Sequence, residues 1–169
     1  MTVLQTERLS LRELTVDDDA QFILTLLNEP SFLRYIGDKQ VRNLEDAAVY
    51  ILNGPVASYE RNGFGLYLVE IRESYTPIGM CGFLKREELP DPDIGFAFVP
   101  EFWSKGFAFE AAAALLQDGR ERLKLQRILA ITSLDNEASI KLLERLGFRF
   151  ERVTQLAADR EQVKLFAAD

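Results

Sequence analysis

The spacing of apolar and polar positions changes period along the chain. Leu9 and Leu11, with polar residues around them, predict a short strand. Thr15 to Asp19 then supplies helix-start signals, with three aspartates suited to the positive end of a helix dipole. A helix is expected from about Asp17 to Asn28, ended by Glu29-Pro30. A second begins near Asn43 or Leu44, carries Ala47, Ala48, Ile51 and Leu52 at helical spacing toward Tyr59, and closes at Gly63 and Gly65. The period then shortens to that of strands. Leu66 to Ile71 and Ile78 to Leu84 read as strands joined by a hairpin at Ser74 to Pro77, and Ile94 to Val99 follows the Pro90-Asp91-Pro92 turn. Three adjacent antiparallel strands are the simplest arrangement. The alanine-rich run from Ala108 to about Leu123 reads as a helix despite Gly119. Ile128 to Thr132 is a buried strand, and Asn136 to Leu146 a helix closed by Gly147 in a left-handed position. Strands near Phe148 to Val153 and Gln162 to Phe166 complete the chain.

The strand–helix–strand passage from Ile94 to Ile131 demands a right-handed crossover between parallel strands. The expected fold is therefore α/β, a mixed and mostly antiparallel sheet with flanking helices. No repeat or long linker divides the chain, and 169 residues suit one domain, 1–169. A 47% hydrophobic content with 12 Phe is enough for a substantial core.

Charge and inventory narrow the chemistry. Twenty Lys and Arg against 27 Asp and Glu give a net charge of −7, which repels phosphate backbones and anionic headgroups and attracts a cationic amine. Neither nucleic acid nor membrane is an expected partner. The chain has no histidine, so Ser-His-Asp and Cys-His triads and HExxH zinc sites are excluded. Cys81 stands alone in an apolar run, so no internal disulfide or cysteine metal cluster forms, and no metal is expected. No segment approaches the roughly 18 apolar residues of a membrane span, and the start has no signal-like core. A cytoplasmic protein is the expectation.

The segment Val99-Pro-Glu-Phe-Trp-Ser-Lys-Gly-Phe-Ala-Phe-Glu110, between a strand and an alanine-rich helix, carries the most chemical information. Gly106 lets a backbone approach a ligand, and Ala108 keeps the first turn open. Unsatisfied amides at a helix N-terminus bind an anion without a basic protein around them. Lys105 would add a cation, or serve only as a solvated loop residue. The pattern is neither GxxxxGK[ST] nor GxGxxG, and on motif content alone it is equally a tight loop entering a surface helix.

DIGFAFVPEFWSKGFAFEAAAALL, followed by Asn136-Glu137-Ala138-Ser139 and LLERLGF, with TERLSLREL at the start, resembles the GNAT superfamily of N-acetyltransferases. The resemblance is to its ribosomal-protein alanine acetyltransferase (RimJ/RimL-type) branch and covers about Leu4 to Phe150. It implies that the strand Ile94 to Val99 bulges and splays from the strand Ile128 to Thr132, opening a V-shaped cleft for the pantetheine arm of acetyl-coenzyme A. Amides near Ala97, Phe98 and Val99 would bond the arm. Lys105, Gly106, Phe107 and Ala108 would hold the pyrophosphate, and Asn136 would contact the cofactor, although it also suffices as a helix cap. Where the family has Gln or Arg at the head of the loop, this chain has Trp103.

The implied reaction is direct attack of a neutral primary amine, on a protein N-terminus or a small molecule, within a ternary complex. A strand amide near Phe98 would polarise the thioester carbonyl. The resemblance points to Asp93 as base, though Asp93 is also a plausible turn aspartate after Pro92. The tyrosine that many members place seven residues after the asparagine is Leu143 here, so that role does not transfer. Ser139 is left as the candidate acid, in a place where a serine is otherwise ordinary. Phe32, Tyr35, Ile36 and Tyr67 are candidates for the acceptor pocket or simply for the core. Two other readings stand beside the enzyme: a noncatalytic acyl-coenzyme A sensor of the same fold, and a structural domain with an ordinary glycine loop. The exposed strand edge at the C-terminal end suits a monomer or a homodimer.

Overall fold

The structure, a computed structural model, describes residues 1–169. Eight strands form one sheet: β1 (Thr2–Gln5), β2 (Leu9–Arg12), β3 (Leu66–Ile71), β4 (Thr76–Leu84), β5 (Asp93–Phe98), β6 (Ile128–Ser133), β7 (Arg149–Gln155) and β8 (Gln162–Ala168). Their spatial order is β1-β2-β3-β4-β5-β6-β8-β7. Every neighbouring pair is antiparallel except β5 and β6. The parallel pair is joined by α5 (Phe107–Glu121), and α6 (Glu137–Arg145) follows β6. The four remaining helices, α1 (Val16–Leu27), α2 (Pro30–Tyr35), α3 (Leu44–Ile51) and α4 (Ala57–Asn62), lie between β2 and β3.

Side-chain alternation divides the sheet into two faces. Tyr67, Val69, Cys81, Phe83, Ile94 and Phe98 pack with Phe107, Ala111, Ala112 and Leu115 of α5 and Leu143 of α6. On the other face Leu68 and Met80 meet Ile23, Leu26 and Leu27 of α1, Phe32 of α2, and Ala47 and Ile51 of α3. The sheet is therefore sandwiched, with α5 and α6 on one side and α1 to α4 on the other.

Local chemistry sets the helix limits. Thr15 caps α1 by accepting from the Asp18 amide, and Asn43 caps α3 by accepting from Asp46. Asn136 caps α6, and Gly147 follows it at φ +96°. Gly119 sits inside α5 because the sheet leaves no room there: a Cβ would stand 2.7 Å from Phe83 Cζ.

Three elements depart from the pattern reading. Glu29-Pro30 does follow the end of α1 at Leu27, but Pro30 also starts α2, a helix the pattern did not announce, as the first-turn position permits. The second helix passes through a π segment at Leu52–Val56, where Pro55 removes a donor, and continues as α4 to Asn62. β1 pairs with β2 as an edge strand of only 4 residues, too short for alternation to declare it. The other edge is β7. No helix is long and apolar enough to cross a membrane.

Candidate functional site

β5 and β6 pair at one point, Asp93 opposite Leu129, where the Leu129 amide donates to Pro92 O at 2.9 Å. Beyond it β6 follows β8 from Ile128↔Ala168 to Ser133↔Val163, while β5 stays with β4 from Leu84↔Asp93 to Gly79↔Phe98. A V-shaped gap opens between them toward their C-terminal ends. The expected splay is present without the expected bulge. The β4–β5 register is unbroken, so the divergence is made by β6 leaving with β8.

The direction of each β5 amide follows from one hydrogen bond. Val99 N–H donates to Ile78 O at 2.9 Å, so Val99 and, two residues back, Ala97 turn their amides to β4. Phe96 and Phe98 turn theirs to the gap, where no strand meets them. Ala97 and Val99 are therefore corrected as main-chain donors to a ligand: their amides are engaged within the sheet, and Phe96 joins Phe98 instead. Ala97 still lines the gap's shoulder, on the α1–α3 face.

A second group at the gap lacks a partner. Thr132 on β6 is 7% exposed, and its hydroxyl has no hydrogen-bond partner. By alternation it shares the α5–α6 face with Ile128 and Ala130. A buried orphan hydroxyl costs about 1–3 kcal/mol unless a ligand meets it. Thr132 lies as far beyond Leu129 on β6 as Phe96 lies beyond Asp93 on β5, so the two walls of the gap both carry unpaired polar groups, which fits an extended polar chain lying between them.

At the gap's mouth the chain turns through a short 3-10 segment, Pro100–Phe102, into α5. Ser104 (φ +62°) and Gly106 (φ +83°) both adopt left-handed backbone, the geometry that curls successive amides into an anion-binding nest. Gly106 is the N-cap of α5 and gives its helix no side-chain cap. The amides of Lys105, Gly106, Phe107 and Ala108 meet no protein acceptor, and the first bond of the helix is Glu110 N to Gly106 O at 3.0 Å. The loop is thus a concave array of free donors at the positive end of a 15-residue helix. Trp103 fastens it to the gap, its indole N–H donating to Phe98 O at 2.8 Å. The Lys105 ammonium sits 5.6 Å from the Phe102 ring centroid.

Arg8, absent from the motif reading, holds this loop from the N-terminal strands. Its Nε donates to Glu110 Oε1 at 2.7 Å, its Nη1 to Lys105 O at 3.1 Å, and its guanidinium lies 4.3 Å from the Phe107 ring centroid. Thr6 Oγ1 and the Arg8 amide both donate to Glu110 Oε2. The available signal was a Thr-Glu-Arg turn before an alternating strand, which says nothing of a partner about a hundred residues away.

Asn136 and Ser139 lie on one stripe of α6, with Ile140 and Leu143. Asn136 Oδ1 accepts from the Ser139 amide at 3.3 Å, leaving its Nδ2 without a protein partner. Ser139 Oγ has no partner either, and both residues are half-buried. Leu143 is 1% exposed in the core, so no phenol reaches the gap from that position.

Asp93 sits at the apex of the V, fully buried, on the face covered by α1 and α3. Burial pushes its carboxyl up to about 6, against the pull of Arg86, whose Nε donates to both carboxylate oxygens at 3.0 and 3.2 Å. Asp93 therefore lies away from the loop, at the closed end of the gap. Of these candidates, Ile36 stands at the surface and Tyr35 is half-buried, while Phe32 is core on the α1 face. Tyr67 is core on the opposite face, stacked on Tyr59 with centroids 5.5 Å apart, so it lines no acceptor pocket. Arg34 reaches from α2 to Asp135 at 3.3 Å, linking the acceptor-side helices to the loop before α6.

Residues 8–149 match the family described as "Acetyltransferase (GNAT) domain". The uncharacterized N-acetyltransferase YoaA of Bacillus subtilis (strain 168) is 34% identical over 152 residues, covering 89% of this chain and 85% of YoaA. An acetyltransferase of Agrobacterium tumefaciens superposes with a TM-score of 0.83 at 24% identity, covering 100% of this chain and 94% of that one. RimL, a ribosomal L7/L12 alpha-N-protein acetyltransferase solved in complex with coenzyme A, superposes with a TM-score of 0.83 at 19% identity, covering 99% and 97%. These last two show a shared fold.

Proposed function

The chain belongs to the GNAT acetyltransferase family and is an acyltransferase enzyme, and on that premise we propose that it moves the acetyl group of acetyl-coenzyme A to a primary amine by direct attack in a ternary complex. The observation that carries the reading is the gap, with open amides at Phe96 and Phe98 on one wall and the orphan Thr132 hydroxyl on the other. It runs straight into the donor nest at Lys105 to Ala108. That sequence of groups suits a pantetheine arm followed by a diphosphate. RimL, of the same fold, was solved with coenzyme A.

Acetyl-coenzyme A supplies an activated thioester; the chain's own residues do the rest. The nest anchors the diphosphate through main-chain donors, which explains how a protein of net charge −7 holds an anion. The Phe98 or Phe96 amide polarises the acetyl carbonyl, with Asn136 Nδ2 free to donate to the arm from α6. Asp93, whose carboxyl burial lifts to about 6, takes a proton from the acceptor's ammonium through a relayed water at the apex, and the neutral amine that results attacks the thioester carbonyl. Ser139 Oγ–H gives its proton to the departing thiolate and regains one from the acceptor nitrogen as the tetrahedral intermediate collapses to the amide. The acceptor enters from the α1–α3 face, past Tyr35 and Ile36, as either a protein N-terminus or a small amine.

Thiol release from acetyl-coenzyme A, measured over a panel of amines, tests the reading. Turnover with at least one amine supports it, and Asp93→Asn and Ser139→Ala should each lower kcat more than they raise KM. Cofactor binding seen in Trp103 fluorescence, with no turnover on any amine, would favour a sensor of the same fold.

A further inference from the structure

The open wall of β5 ends against a side chain of the protein itself. Val99 N–H donates to Ile78 O, so the carbonyl of the same peptide, Phe98 O, points the opposite way, into the gap. The same parity turns Phe96 O there, with the Phe96 and Phe98 amides. One of these four groups is already taken: the Trp103 indole N–H donates to Phe98 O at 2.8 Å. Two main-chain bonds hold the indole in place, Phe102 N to Val99 O at 2.9 Å and Trp103 N to Pro100 O at 3.0 Å. The ring therefore folds back over the strand end, while the backbone of Trp103 leads directly into Ser104, the first left-handed residue of the nest. Trp103 is 47% exposed, so burial does not account for its position and the hydrogen bond does.

A bare strand edge specifies register poorly. An extended chain of amides pairs with it as well after a slip of two residues, roughly 7 Å, because the backbone repeats at that interval. The pantetheine arm is such a chain, with two secondary amides, and a thioester displaced by far less than that is out of line for attack. We infer that Trp103 is a positioning residue that sets the register of the arm on β5. A slip toward the apex runs into the Asp93–Leu129 pair, and a slip toward the mouth meets Phe98 O already occupied by the indole. Phe96 O, two residues back, is left to accept from the arm, with the Phe98 amide as the last donor. The inference rests on the acetyl-transfer reading above and adds a fixed separation to it: the indole ties the strand end that meets the thioester to the loop that holds the diphosphate.

Two measurements test it. The chain has 1 Trp, so its nitrogen-15 spectrum holds a single indole N–H. Coenzyme A lying beside an intact Trp103–Phe98 bond should slow exchange of that proton about tenfold or more. Exchange that is unchanged or faster on binding overturns the inference. Trp103→Phe, in turn, keeps an aromatic ring and removes the donor. Calorimetry should find coenzyme A bound within about threefold of the wild type, since the freed carbonyl offers the arm a second register in place of the first. Acetyl-coenzyme A labelled with carbon-13 at its acetyl carbonyl should give one displaced bound resonance in the wild type. In the variant that resonance should split or return toward its free position, and kcat should fall about tenfold or more with little change in KM. A variant carbonyl signal identical to the wild type's overturns the inference. So does an equal loss of affinity for coenzyme A and for ADP, which would mark a loop that has merely come loose. Should the variant not fold, the indole exchange decides alone. Failure of the acetyl-transfer reading looks different: coenzyme A would give no heat with the wild type, and the register stop would fall with it.

Discussion

Asp93 is a carboxyl that the fold keeps at an electrostatic cost, and pH exposes that cost. Its titration rises from the ordinary 3.8 to about 6 because burial penalises the anion more than Arg86 favours it. Between those values the unfolded chain has released the proton and the native chain has kept it, so stability falls as pH climbs from about 4 to about 6. The single-site effect is at most roughly 2–3 kcal/mol, at 1.36 kcal/mol per unit. Urea unfolding of the wild type and Asp93→Asn from pH 4 to 7 reads it: the variant's stability relative to the wild type should rise through that window. A difference independent of pH would place the Asp93 titration outside it. Thr132 makes a complementary case, since its hydroxyl is orphaned in the free protein. Thr132→Val should raise the stability of the free protein by up to about 1 kcal/mol and weaken coenzyme A binding by about tenfold. A variant that loses both, or neither, removes the hydroxyl from the cofactor path. Neither property is visible in the residue names alone. The resemblance marks Asp93 as a base but its residue type reads equally as a turn aspartate, and Thr132 reads as a strand threonine, until burial and the missing partner are known.

At the scale of elements, α5 and its N-cap carry two glycines with different physical reasons. Gly106 needs its positive φ to curl the nest, and an added Cβ would also stand 3.3 Å from Arg8 Nη2. Gly119 needs only space, since its Cβ would meet Phe83 at 2.7 Å. Gly106→Ala should weaken coenzyme A binding about tenfold or more, a left-handed alanine costing roughly 1–2 kcal/mol before any loop shift. Gly119→Ala should instead cost roughly 1–3 kcal/mol of stability by overpacking, despite better helix propensity, and leave binding near normal. Calorimetric titration and thermal unfolding of both variants separate the two roles, and the same loss in both assays for both variants would refute the division. Helix ends with their own chemistry were legible in sequence: Asn136 and Gly147 bound α6 as their residue types require. Pro30 was not, because one residue type both ends and begins helices, and the choice depends on what Phe32 finds to pack against.

The whole molecule turns on one non-local fact, that β6 leaves β5 to follow β8. The sequence made the parallel passage from Ile94 to Ile131 legible through its strand–helix–strand order, and with it the mixed sheet. Where the pair separates depends on a partner strand some thirty residues later, and so does the direction of each β5 amide. The resemblance placed the donors near Ala97, Phe98 and Val99 alike, and only alternation from the Val99–Ile78 bond separates Phe98, with Phe96, from the two residues whose amides face β4. Hydrogen exchange reads this parity directly. In the free protein the amides of Ala97 and Val99 should exchange slowly, being bonded within the sheet, and those of Phe96 and Phe98 quickly. Saturating coenzyme A should slow Phe96 and Phe98 more than the general stabilisation of roughly 2.7 kcal/mol at a hundredfold excess over Kd slows their neighbours' global opening. Ligand-dependent protection appearing at Ala97 and Val99 instead would invert the register of donors. Uniform protection along β5, with no alternation before or after ligand, would mean that the arm does not lie against this strand.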